Sequence, residues 1–322
     1  GSLDEMRKLS SAVKQYSADD EVRMERVAAK LEKREQSQIR YIEFQKQEKE
    51  FTRPPQFIKL AYTVVEELDD AAYAGQLLNS AEEKLREGPY SLTQFLPFTV
   101  AVDALTNDAD WVARLLDEAA EHAEHFPAVK VLGETVTQEL RPRDSNREWL
   151  CNFYQKYLEK LASSNASAFE FLKMARAIKQ HLQDREWTEK TLDLAIQHAQ
   201  NHFHYAYIAE QMNQWDEGDR ADALYSQAAE ACSDSKELTE LVQLARKAGV
   251  DETKLRDLYA RGEQLSDAWQ KLRWAEGIVD LFDDKEWAGS VYEKLRPSFE
   301  ELGAIHLLES SRDSHMHQHK LY

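Results

Sequence analysis

The ten histidines and two cysteines of this 322-residue chain are its side chains best suited to metal or nucleophile chemistry, and their spacing limits what they can do. His315, His317 and His319 alternate near the C-terminus. In an extended segment that alternation turns imidazoles to one side, where they suit Zn, Cu or Ni. Short histidine-containing tails bind metals adventitiously, so these three are weak metal candidates and no cofactor is expected. His122 and His125 sit close together, as do His198, His202 and His204. His198 and His202 would share a face of a continuous helix, but no H-E-x-x-H or carboxylate triad accompanies them, and solvated or rim histidines are the expectation. Cys151 and Cys232 supply neither a disulfide framework nor a C-x-x-C site. Each reads as a small, inert helical residue.

Other catalytic patterns are missing. The chain has no G-x-G-x-x-G, no G-x-x-x-x-G-K-S/T and no G-x-S-x-G. Acid pairs such as Glu66-Glu67 and Asp283-Asp284 are frequent and read as solvated faces and helix caps. The chain is therefore expected not to be an enzyme, the alternative being an active site of scattered residues in a pocket inside a helical array.

The elements that would position any site are helices. Ten glycines and seven prolines are under half the usual share, too little turn chemistry for a many-stranded sandwich or barrel. Hydrophobic residues at 42% and charged residues at 31% support a folded core. The net charge of −18 repels phosphate backbones, so nucleic acid is not an expected partner. Residues 1–53 hold 12 basic and 11 acidic side chains, so the acidity lies beyond them. No apolar run approaches the roughly 20 residues that span a bilayer, and no leader-like segment is evident; Gly1-Ser2 reads as a cloning scar, behind which a leader could have been trimmed. A cytoplasmic location is expected.

A repeat organises the body. An aromatic follows a short acidic segment in Asp70-Ala-Ala-Tyr73, Asp108-Ala-Asp-Trp111, Asn146-Arg-Glu-Trp149, Asp184-Arg-Glu-Trp187 and Asp284-Lys-Glu-Trp287. The first four anchors are 38 residues apart, and degenerate anchors at Arg220 and Lys254 give later spacings of 33, 34 and 33. Positions +1, +5 and +8 recur as small or apolar residues: Ala74, Leu78, Ala81; Val112, Leu116, Ala119; Leu150, Tyr154, Tyr157; Thr188, Leu192, Ala195; Ala221, Tyr225, Ala228; Leu255, Tyr259, Gly262; Ala288, Tyr292, Leu295. Steps of four and three place each trio on one helical face, and the Asp or Asn ahead of each aromatic is a helix N-cap residue. This is a B helix. An amphipathic A helix precedes it, clearest in Ala61, Val64, Leu68; Ala175, Ile178, Leu182; and Ala275, Ile278, Phe282. Pro97 and Pro297 alone fall inside predicted helices, where they predict kinks or breaks. Trp187→Ala is expected to cost about 3 to 5 kcal/mol if that anchor is buried.

Helix pairs of 33 to 38 residues carrying A-x-x-x-L/Y-x-x-A in the second helix, best in Ala221, Tyr225 and Ala228, resemble tetratricopeptide repeats over residues 55 to about 300. The first-helix W-x-x-L-G-x-x-Y signature is absent. The resemblance implies an all-α, right-handed alpha-alpha superhelix: a TPR-like solenoid of about seven helix pairs over 54–303. It follows 1–53, a charged N-terminal helical extension or cap with a thin stripe at Met24, Val27, Leu31, Ile39 and Ile42. A flexible His-containing tail, 304–322, is expected to end the chain. The resemblance also implies that A helices line a concave face. Lys173, Arg176, Lys179, Tyr205, Tyr207, Arg246 and Lys247 are then the candidate contacts, a basic groove for an acidic segment or C-terminal carboxylate of a partner protein or peptide. The expected function is a protein–protein interaction scaffold or adaptor, the alternative being a structural protein that self-associates through its N-terminal helix.

Overall fold

A computed structural model describes residues 5–9, 11 and 21–317, with side chains given for 5–9, 11 and 25–316. The described residues are helical throughout their ordered elements and contain no strand. Residues 5–9 form α1. The following helices are α2 (Glu21–Glu48), α3 (Pro54–Leu68), α4 (Ala71–Arg86), α5 (Leu92–Thr106), α6 (Ala109–Glu121), α7 (Phe126–Glu134) and α8 (Asp144–Ser163). They continue as α9 (Ala168–His181), α10 (Arg185–Gln197), α11 (His202–Gln214), α12 (Gly218–Glu230), α13 (Ser235–Lys247), α14 (Glu252–Tyr259), α15 (Ala268–Phe282), α16 (Lys285–Glu301) and α17 (Ile305–His317). A π-helical turn, Thr135–Glu139, extends α7, and a 3-10 turn, Ala260–Gln264, extends α14. The chain divides into two compact units, Gly1–Lys156 and Tyr157–Tyr322, the division falling inside α8.

The A and B helices alternate where the repeat placed them, from α3 and α4 to α15 and α16. Every +1, +5 and +8 residue of the seven B helices is buried. The caps explain where the B helices start. Asp70, Asp108, Asp184 and Asp284 each accept a hydrogen bond from the backbone N–H of the aromatic anchor three residues on, at 2.9 Å, and Asp251 caps Lys254 N at 3.0 Å. Asn146 departs from the pattern. Helix α8 begins earlier, at Asp144, and the Asn146 side chain instead donates to the Arg141 carbonyl at 3.0 Å.

Just ahead of these caps the backbone turns left-handed at Asp69, Asn107, Gln183, Asp216 and Asp283, with φ between 52° and 61°. Each residue ends an A helix, so the acid pairs Asp69-Asp70 and Asp283-Asp284 are conformational: one residue reverses the chain and the next caps the new helix. Gly249, at φ 84°, ends α13 two residues before its cap.

Several expectations change in detail. Of the aromatic anchors only Tyr73 is buried; Trp111, Trp149, Trp187 and Trp287 are half-buried. The expected cost of Trp187→Ala falls accordingly to about 2 kcal/mol. Helices α5 and α16 run on through Pro97 and Pro297 rather than breaking there. Within the N-terminal extension, Val27 and Ile42 of the apolar stripe are exposed, the Met24 side chain lies outside the described residues, and among the described side chains of α2 the buried one is Phe44. The C-terminal part of α2 packs on the first pair: Tyr41 rests against Tyr73 at 4.9 Å, and Tyr73 Oη donates to Glu48 at 3.0 Å. Residues 305–317, expected as a loose tail, form α17, which packs on α15 and α16 and buries Leu308.

Candidate functional site

Helix α9 is built so that its cations face outward. Ser167 and Glu170 form a capping box at its start, with Ser167 N donating to Glu170 Oε2 at 2.9 Å. Phe171, Leu172, Met174, Ala175, Ala177 and Ile178 are buried, which leaves Lys173, Arg176 and Lys179 as an exposed strip at steps of three. Arg176 faces Glu210 of α11, and burial of its stem pulls the guanidinium below its ordinary value against the attraction of that carboxylate. It stays charged, as guanidinium does in proteins. Tyr207 of α11 is 38% exposed and stands edge-on to Phe169 of α9 at 5.4 Å. Helices α9 and α11 are in contact, so Lys173, Arg176, Phe169 and Tyr207 share neighbouring A helices.

The other sequence candidates separate from this strip. Tyr205 is half-buried, and its hydroxyl donates to the Ala199 carbonyl at 3.3 Å, which makes it a packing residue. Arg246 pairs with Glu252 at 3.2 Å and lies over the Phe282 ring at 5.3 Å, at the turn end of α13; Lys247 is exposed beside it. Lys179 ends the strip at a cleft of about 440 Å³ between the turns of the α9–α10 and α11–α12 pairs. There its ammonium sits 4.4 Å from the centre of the Trp215 ring, a favourable cation–aromatic geometry. Asp184, Arg185, Glu189 and Glu217 complete a mixed-charge lining, with Arg185 and Glu189 paired at 2.7 Å. Trp215 and Phe169 escaped the sequence reading because both lie outside the B-helix anchor register.

The histidine expectations are revised. A new cap, Asn201, accepts from His204 N at 3.1 Å and starts α11, so His198 and His202 do not lie on one continuous helix. His202 is not a rim residue: it is 3% exposed. Helical register in α17 sets positions 315 and 317 about 200° apart, which removes the one-sided arrangement that an extended tail would give. His315 Nδ1 lies 2.9 Å from the Ser311 carbonyl, while the His317 side chain and all of His319 lie outside the described residues.

A second polar feature recurs between B helices of the first unit. Trp111 Nε1 donates to Glu82 at 2.8 Å and Trp149 Nε1 to Asp117 at 2.7 Å, just as Tyr73 donates to Glu48. Glu82 also takes two bonds from Arg114, at 2.7 and 2.9 Å, and bonds from Arg86. Each of these three anchors thus reaches back to a carboxylate on α2, α4 or α6, a partner whose position the repeat spacing did not reveal.

No protein-family model matches this chain, and a search of curated proteins finds no relative.

Proposed function

We propose that this protein is an interaction scaffold whose A helices bind a partner peptide or protein segment carrying acidic residues or a free C-terminal carboxylate. The observation that carries the reading is the exposed strip Lys173, Arg176 and Lys179 on α9, three cations aligned on a chain with a net charge of −18. Exposed Tyr207 and the Lys179–Trp215 cleft at its end supply aromatic surface beside those cations. Carboxylates pair well with guanidinium and ammonium groups arranged in this way. In this reading the helix pairs stack as a tetratricopeptide-like, right-handed superhelix with the A helices on its concave side, and the protein works in the cytoplasm.

The test is binding to an immobilised peptide library that varies acidic content and the free C-terminus. Wild-type protein is expected to retain an acidic subset, and Lys173→Glu with Arg176→Glu to lose it at unchanged helix content by circular dichroism. Equal retention by the double variant, or no preference of the wild type for acidic peptides, would defeat the reading.

A further inference from the structure

Three side chains from two consecutive helix pairs of the second unit meet at the start of their A helices. A ring nitrogen of His202, Sγ of Cys232 and a carboxylate oxygen of Glu237 lie within 4.8 Å of one another. His202 opens α11, Cys232 follows α12, and Glu237 stands in the first turn of α13. The geometry points to a divalent metal site, of the kind that takes Zn2+, formed by His202, Cys232 and Glu237.

Glu237 and Cys232 are each held by a neighbour that is not itself a ligand. Glu237 Oε2 accepts from Ser233 N at 2.6 Å and from Ser233 Oγ at 2.9 Å, which leaves Oε1 on the His202 side, 3.8 Å from Nδ1. That separation is outside hydrogen-bond reach. His202 is almost fully buried, and its Nε2 has no hydrogen-bond partner among the described residues. Buried polar atoms are ordinarily satisfied, so Nε2 is short of a partner among the described residues. Cys232 Sγ donates to the Ala228 carbonyl at 3.3 Å, the contact of a protonated thiol.

Glu237, Asp234 and Glu240 place negative charge around Cys232, which favours a dication there. On binding, the sulfur–hydrogen bond breaks, the proton leaves to solvent and the sulfur electron pair goes to the metal. Thiolate, imidazole and carboxylate form the mixed donor set that Zn2+ takes, with water in the fourth tetrahedral position. Metal–ligand bonds of about 2.0 to 2.3 Å bring ligand atoms to about 3.5 Å from one another, so side-chain rotation of about an ångström closes the set.

The experiment uses the full chain with His315, His317 and His319 changed to Ala, and Co2+ as an optical stand-in for Zn2+. The expected result is a saturable thiolate-to-cobalt charge-transfer band that Zn2+ displaces. Cys232→Ser should abolish it and Cys151→Ser should retain it, both at unchanged helix content. Absence of the band in the parent protein, or its survival in Cys232→Ser, overturns the site. Because Cys232→Ser changes a half-buried residue, alkylation of the parent protein supplies a second readout that needs no further substitution. Zn2+ is expected to slow modification of Cys232 at least tenfold more than that of Cys151, and equal slowing at both also overturns the site.

Discussion

Glu82 shows how one residue combines burial and charge. Its side chain is 9% exposed and accepts from Trp111, Arg114 and Arg86. Burial alone would raise its carboxyl, but the bonds from Arg114, Arg86 and Trp111 outweigh it and hold the group below the ordinary 4.5. A depressed folded-state value means that Glu82 stabilises the protein above the ordinary carboxyl range and loses that contribution as pH falls through the folded-state value. Glu82→Gln is therefore expected to destabilise by about 2 kcal/mol at pH 7, since hydrogen bonds to charged groups are worth roughly that much. The difference from wild type should shrink in acid, and urea midpoints of both proteins at neutral and acidic pH measure it. An equal deficit at both would assign Glu82 a packing role only.

At the scale of helices, the close approach of α14, its 3-10 extension and α15 depends on two glycines. Trp274 is buried with Nε1 donating to the Tyr259 carbonyl at 2.7 Å, and its ring meets Trp287 edge-on at 5.9 Å. A Cβ on Gly262 would collide with the Trp274 indole, and one on Gly277 with the Tyr259 hydroxyl. Gly262→Ala is expected to cost about 1 to 3 kcal/mol through overpacking, read as a lower Tm. An unchanged Tm would mean that the 3-10 turn shifts to make room. Gly262 was legible in advance as the small +8 residue of its B helix, as was every buried trio, because a 3.6-residue period and an Asp cap are local signals. The partners of the anchors were not, since Glu48, Glu82 and Asp117 reach Tyr73, Trp111 and Trp149 across 25 to 32 residues. His202 was misjudged for the same reason: its burial follows from packing, with no trace in its neighbours in sequence.

Over the whole chain, the candidate binding strip and the net charge act in opposite directions. The excess of −18 repels an acidic peptide at long range, whereas Lys173, Arg176 and Lys179 attract it only at close range. Raising salt from about 0.01 to 0.1 M shortens the screening length from about 30 to 10 Å, which removes repulsion at distances where the strip is not yet felt. The association rate with an acidic peptide is therefore expected to rise over that range in stopped-flow measurements. A monotonic fall would place the peptide's approach under local attraction from the outset. Much of the excess has a structural origin. Asp70, Asp108, Asp184, Asp234, Asp251, Asp267 and Asp284 each cap a helix through the side chain. Asparagine caps nearly as well, so a lineage could exchange all seven and keep its helices while shedding seven negative charges. Acidity in such a chain is inherited with its corners, and its solubility and choice of company can drift by single-base changes that leave the architecture untouched.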